Sequence, residues 1–123
     1  MRYMYLVNSC NNEQPPQRLF EELDKMAEKA IKSGAMIDSG GLMPLNMGSA
    51  RIRLEGGKIS VIDMPLAEGK EVVGGYAIFE FKTREEAIQS AIDFMEVHRK
   101  FHEGWEGTCE MRPMMGDPHN PPS

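Results

Sequence analysis

Long apolar runs are missing from this chain. None approaches the roughly 18 residues of a membrane-spanning helix, so no membrane partner is expected. The opening MRYMYLVNS has one Arg, no extended apolar core and no small-residue cleavage site, and is not read as a secretion signal. Runs of Lys and Arg are also missing. The net charge is −5, and a nucleic-acid partner, whose phosphates are met by a basic stripe, is not expected. Cysteine is scarce. Cys10 and Cys109 are too few and too irregularly placed for a disulfide framework or a zinc site, which fits a reducing, cytoplasmic setting. There is no phosphate-cradling glycine loop, no dinucleotide fingerprint and no serine elbow, and no cofactor is implied.

Of what is present, 41% hydrophobic and 27% charged residues over 123 positions describe an ordinary globular chain with one modest core. The 11 methionines are read as adaptable core filler. Cys109 lies in a strand-like run and reads as a small buried hydrophobe, whereas Cys10 follows the first strand, with no His near it in sequence to activate it.

Periodicity sets the order of elements. From Arg2 to Asn8, Tyr3, Tyr5 and Val7 alternate with Met4 and Leu6, and both faces are apolar, which predicts a central strand. After Pro15-Pro16, Leu19, Leu23, Met26, Ala27, Ala30 and Ile31 fall on one helical face, and Gly34 stands where a left-handed cap belongs. A strand starts at Ala35 to Asp38, with a bulge or bend expected at Gly40-Gly41; Leu42 to Leu45 could prolong it, with Pro44 arguing for an edge. Ala50, Ile52 and Leu54 then alternate with Arg51 and Arg53, Gly56-Gly57 turns the chain, and Lys58 to Asp63 returns as a hairpin. Gly75 to Phe81 is the next strand. Thr83 to Glu86 has the T-x-x-E form that opens a helix with Ala87, Ile88, Ala91, Ile92 and Met95 on its buried stripe, ending near His98 or Phe101. A turn around Trp105 leads to a last strand over Thr108 to Arg112, and the Pro- and Gly-rich residues from Met114 onward read as a loose tail after a single domain over 1–113.

The plan is α+β: a ferredoxin-like βαββαβ layout with an extra β-hairpin. Two helices cover one face of an antiparallel sheet and leave the other bare. A bare apolar sheet face calls for a second copy, so a homodimer is expected, with sheets face to face or closed into a shared α/β barrel.

Several side chains have the chemistry of a site. Asp63 ends a strand before a proline; it is read first as a turn residue and alternatively as a general base. Glu68, Lys70 and Glu71 form a charged connection, either solvated or set along a barrel mouth, where Lys70 would meet an anion and Glu71 would accept a proton. Arg51 and Arg53 share a strand face, as a solvated pair or an anion clamp that Arg112 could close. His98 and His102 lie four apart near a helix end. They lack the Glu of a hydrolytic H-E-x-x-H, so a favourable contact with the helix dipole is the plainer account of them than a metal site. His98 is the acid/base group that titrates near neutrality. Trp105 reads as an anchor for the core or an interface.

The stretch DMPLAEGKEVVGGY, with MRYMYLV at the start, GGLMPL at 40–45 and HRKFHEGWEGTCEMRPM near the end, resembles the YCII-related, or DGPF-domain, family. The family's Asp-Gly-Pro-Phe stands here as Asp63-Met64-Pro65-Leu66, its Glu-x-Lys-Glu as Glu68, Lys70 and Glu71, and its Gly-Gly as Gly74 and Gly75. The resemblance spans nearly the whole chain and implies a dimeric α+β barrel. The resemblance implies a small enzyme or a companion of an alternative sigma factor. With the charged residues above, the expected function is a small cofactor-free enzyme or binding protein for an anionic small molecule, or alternatively a non-catalytic dimeric module serving a protein partner, for instance in sigma-factor-linked transcriptional regulation. By the resemblance, His98 matches a family position. The family's proposed His-Asp pair would fall near the first helix and second strand, where this chain has Asp38 and no His.

Overall fold

Strand β1 (Arg2–Ser9) is hydrogen-bonded on both sides, antiparallel to β5 (Val72–Glu80) and to β6 (Gly107–Pro113). This is the central position that its two apolar faces predict. The computed structural model describes residues 1–9, 15–43, 45, 47–63 and 72–116. Among these, helix α1 (Gln17–Ser33) follows β1, then β2 (Met36–Gly41), the hairpin strands β3 (Ala50–Glu55) and β4 (Lys58–Asp63), β5, helix α2 (Arg84–Phe101) and β6. Four strands form one antiparallel sheet in the order β2-β5-β1-β6, which is the ferredoxin-like arrangement. The hairpin β3–β4 is a separate two-stranded sheet.

Both helices lie on one face of the four-stranded sheet. Tyr3 and Tyr5 of β1, Phe79 of β5 and Ala87 of α2 make the buried cluster, with Ala30, Met36, Ala77, Phe81, Ala91, Cys109 and Met111 packed around it. The Tyr5 and Phe79 rings approach to 4.9 Å, and the Tyr5 hydroxyl donates a short hydrogen bond to the carbonyl of Ala87. That bond ties the middle of the sheet to the first turns of α2, and burial pushes the Tyr5 phenol up to about 12.

The helix limits follow from local chemistry. In α1, Leu19 is buried and the chain stops at Gly34, whose φ of 81° is the left-handed cap; its N–H bonds the Ile31 carbonyl. In α2, the Thr83 hydroxyl oxygen accepts from the Glu86 amide at 3.1 Å, and Glu85 and Glu86 place negative charge at the positive end of the helix. Gly56 and Gly57, with φ of 58° and 77°, make the two-residue hairpin turn that the double glycine predicts.

Two irregularities decide which side chains face where. The pairing of β2 with β5 shifts between Met36 and Asp38, so Ile37 is an extra residue. Met36 faces the helices beside Phe79, while Asp38, two residues on, sits opposite Ile78 on the other face. The bend expected at Gly40-Gly41 therefore lies earlier, at Ile37, and residues 42 and 43 do not prolong β2. A second shift between Val7 and Asn8 leaves Gly74 as the extra residue of β5. The Met114 amide still bonds the Arg2 carbonyl at 2.8 Å, so the sheet holds the chain one residue past β6. The expected tail over 117–123, Cys10 and Pro44 lie outside the described residues.

Replacing Thr83 with Ala removes the cap oxygen and should lower stability by about 1 kcal/mol. The expected signature is a lower urea midpoint with an unchanged slope; an unshifted midpoint would show that the cap contributes nothing here.

Candidate functional site

The sheet face turned away from the helices is assembled by strand alternation. β1 contributes Arg2, Met4, Leu6 and Asn8; β5 contributes Tyr76, Ile78 and Glu80; β6 contributes Thr108, Glu110 and Arg112; β2 contributes Asp38. Met4, Leu6, Tyr76 and Ile78 form a half-buried apolar strip along its centre. Charged groups flank the strip: Asp38 on the β2 side, and Glu110 and Arg112 on the β6 side.

Asp38 is held in place. The Ser39 amide donates to its Oδ1 at 2.8 Å, and the Tyr76 hydroxyl lies 3.4 Å from Oδ2, a long contact for an O–H donor. The Tyr76 ring reaches Asp38 across Gly40, where a Cβ would fall 2.8 Å from the ring edge. The glycine thus makes room for the aromatic ring. Across the strip, the Arg112 Nη1 stands 3.9 Å from a Glu110 carboxylate oxygen, both side chains being exposed. A pair so placed is held weakly and leaves the guanidinium open to a second carboxylate or a phosphate.

His98 and His102 occupy the opposite side of the sheet, under the end of α2, and both are buried. Packing surrounds both rings at the end of α2. The Trp105 ring lies 4.6 Å from that of His98 and 6.3 Å from that of His102, and its indole N–H donates to the Ser9 hydroxyl. His98 Nδ1 pairs with the Phe94 carbonyl at 3.0 Å. Burial holds the His98 imidazole below its ordinary value, opposed by that carbonyl bond and aided by the nearby His102. Nδ1 of His102 is buried without a hydrogen-bond partner among the described residues. Trp105 is itself half-buried against the two histidines, and burial raises the half-buried Cys109 thiol.

The remaining sequence candidates are dispersed. Asp63 ends β4 opposite Ala50, and Arg51 and Arg53 lie on the other face of the hairpin, with Arg53 Nη1 3.9 Å from Glu55. Arg112 is on the open sheet face, while His98 is beneath the helices, so these two share no surface. Glu68, Lys70 and Glu71 lie outside the described residues. Tyr76 was not singled out from sequence, because its role needs the register that sets it beside Asp38. Among the described residues, no three His, Cys, Asp or Glu side chains gather as a metal would require. Shallow hollows of about 320 and 390 Å³ lie along α1 and beside the β5–α2 junction, and contain none of the candidates.

The chain belongs to the YCII-related domain family, whose model matches residues 1–98. It is also similar to an uncharacterised protein of Rhizobium meliloti, 25% identical over 108 residues that cover 88% of this chain and 82% of that protein. No helix among the described residues is long and apolar enough to cross a membrane.

The buried His98 sets a pH dependence. Its folded pKa is below 6.5, so above that pH the imidazole is neutral in both states and stability is unaffected. As pH falls through 6.5 the unfolded chain takes up the proton first, and stability drops until the folded pKa is passed. Urea midpoints from pH 8 to about 5 should fall more steeply for the wild type than for His98→Phe; parallel profiles would contradict this. Separately, Gly40→Ala should displace the Tyr76 ring and break its contact with Asp38 while costing less than about 1 kcal/mol. Unchanged Tyr76 ring signals by NMR would show that the ring does not depend on the gap.

Proposed function

We propose that this protein binds a small anionic or oxygenated molecule over the open sheet face, in a homodimer whose paired sheets enclose that face as an α/β barrel. The observation that carries this reading is the arrangement of Asp38 and Tyr76 across an apolar strip from Arg112. Arg112 supplies the cation for a carboxylate or phosphate, the strip takes the apolar part of the ligand, and Asp38 is positioned to accept a proton while Tyr76 donates a hydrogen bond. This set performs acid/base chemistry with no cofactor. Asp63, Glu68, Lys70 and Glu71 belong to the reading as the charged rim supplied by the connection from β4 to β5, with Arg51 as a further cation; His98 enters as a group of the core rather than of this face.

A second reading is a non-catalytic dimeric module that serves a protein partner, for instance in transcriptional regulation. One observation favours it: the exposed apolar face of the hairpin β3–β4.

The test is a thermal-shift screen with small carboxylates, phosphates and phenolic compounds on the wild type, Arg112→Ala and Asp38→Asn. A true ligand at about 100 times its Kd adds about 2.7 kcal/mol, a shift of several degrees. The shift should appear in the wild type and be lost in Arg112→Ala, while Asp38→Asn should keep binding and lose any turnover. A screen in which no compound moves the wild type argues for the second reading.

A further inference from the structure

Strand register places Asp38 and Arg112 at the two ends of one row across the sheet. Asp38 of β2 stands opposite Ile78 of β5, Ile78 opposite Met4 of β1, and Met4 opposite Arg112 of β6. The next row on the same face runs from Gly40 through Tyr76 and Leu6 to Glu110. The apolar strip is confined to these two rows, and a polar pair closes it at each end. At one end Arg2 Nε lies 3.5 Å from a Glu80 carboxylate oxygen; at the other the Asn8 side-chain amide donates to the Thr108 hydroxyl at 3.2 Å. Along its sides the strip is bounded by a carboxylate on the β2 edge and a guanidinium on the β6 edge. Three interstrand steps of about 4.8 Å set the backbones of Asp38 and Arg112 about 14 Å apart. Sheet hydrogen bonds hold that separation, so it does not adapt to what lies across it.

We propose that this row measures its ligand, which is a carboxylate of single negative charge with a hydroxyl at the far end of an apolar body laid across Met4 and Ile78. The proposal rests on the ligand-binding reading above and names the class of ligand. Charge fixes the direction. Arg2 is engaged by Glu80, whereas Arg112 is held by Glu110 at 3.9 Å, so the β6 edge offers one loosely paired guanidinium to one carboxylate. The β2 edge rejects a second anion, because among the described residues no cation pairs with Asp38. A neutral hydroxyl suits both groups at that edge. It donates to Asp38 Oδ2 and accepts from the Tyr76 O–H, whose 3.4 Å contact with Asp38 is loose enough to open for it. An ammonium has donors and no acceptor, so it could use Asp38 and not the Tyr76 O–H. A hydroxyl at this end is also the group from which Asp38, read as a base, would take a proton. The apolar body is limited by the polar pairs that close the strip, so a slim chain or a single ring fits and a broad ring system does not.

The test is titration calorimetry with straight-chain ω-hydroxy carboxylates from butanoate to dodecanoate, on the wild type and on Asp38→Asn. At each length the plain carboxylate, the α,ω-dicarboxylate and the ω-amino carboxylate are titrated for comparison. In the wild type, affinity should peak at an intermediate length. At that length the hydroxy acid should bind at least tenfold more tightly than each of the other three. Asp38→Asn keeps an acceptor oxygen and removes the charge, so it should retain the hydroxy acid and bind the dicarboxylate at least tenfold more tightly than the wild type does. That change of preference is a readout that a merely structural role of Asp38 would not produce. Binding that is lost in Arg112→Ala yet indifferent to chain length and to the far-end group overturns the row as a measure and leaves the binding reading standing. Tighter binding of the ω-amino carboxylate overturns the hydroxyl. A wild type that binds other small anions and none of these acids overturns this proposal alone, and one that binds no small anion overturns the reading beneath it as well.

Discussion

The sheet has two faces and the chain has two helices, both on the same side. Everything else in the structure follows from how β1 copes with that imbalance. Tyr3 and Tyr5 put their rings under the helices, and the Tyr5 hydroxyl is spent on the Ala87 carbonyl, so the sheet and α2 are tied together by a buried hydrogen bond. On the other side, Met4 and Leu6 lie in a half-buried strip on the face that the two helices leave open. The two faces of one strand thus have different environments, an enclosed core on one side and a half-buried apolar strip on the other.

Register irregularities decide which polar groups reach the sheet face away from the helices. Without the extra residue at Ile37, Asp38 would follow Met36 toward the helices, where a carboxylate would be costly to bury. With it, the carboxylate reaches the open face, receives the Ser39 amide and stands beside Tyr76. Gly40 completes the arrangement by leaving space for the aromatic ring. On the helix side, the two histidines near the end of α2 are drawn into packing with Trp105 as buried rings, and burial holds the His98 imidazole below its ordinary pKa. Membership of the YCII-related family agrees with this architecture and leaves the chemistry to be argued from these residues.

Much of the fold was legible because its signals are local. Alternation marked β1 and the hairpin, the T-x-x-E pattern marked the start of α2, Gly34 marked the end of α1, and Gly56-Gly57 specified the turn. The candidate site was far less legible. Lys70, Glu71 and Asp63 stand out by charge and motif, yet charge says nothing of direction. His98 stood out as the group titrating near neutrality, and burial placed it across the sheet from Arg112. Tyr76 drew no notice, since in sequence it is one more aromatic residue in an apolar strand.

The sequence alone determined what depends on a few neighbouring residues: element type, caps, the hairpin turn, the acidic balance and the mismatch between two helices and two sheet faces. Tertiary structure decided what depends on residues far apart in the chain: the strand order β2-β5-β1-β6, the bulge that turns Asp38 outward, the burial of His98 and His102, and the separation of the hairpin from the main sheet. The physical reason is that propensity and capping act over one or two turns, whereas register and burial are set by which surfaces meet, and those contacts join residues as distant as Tyr5 and Ala87.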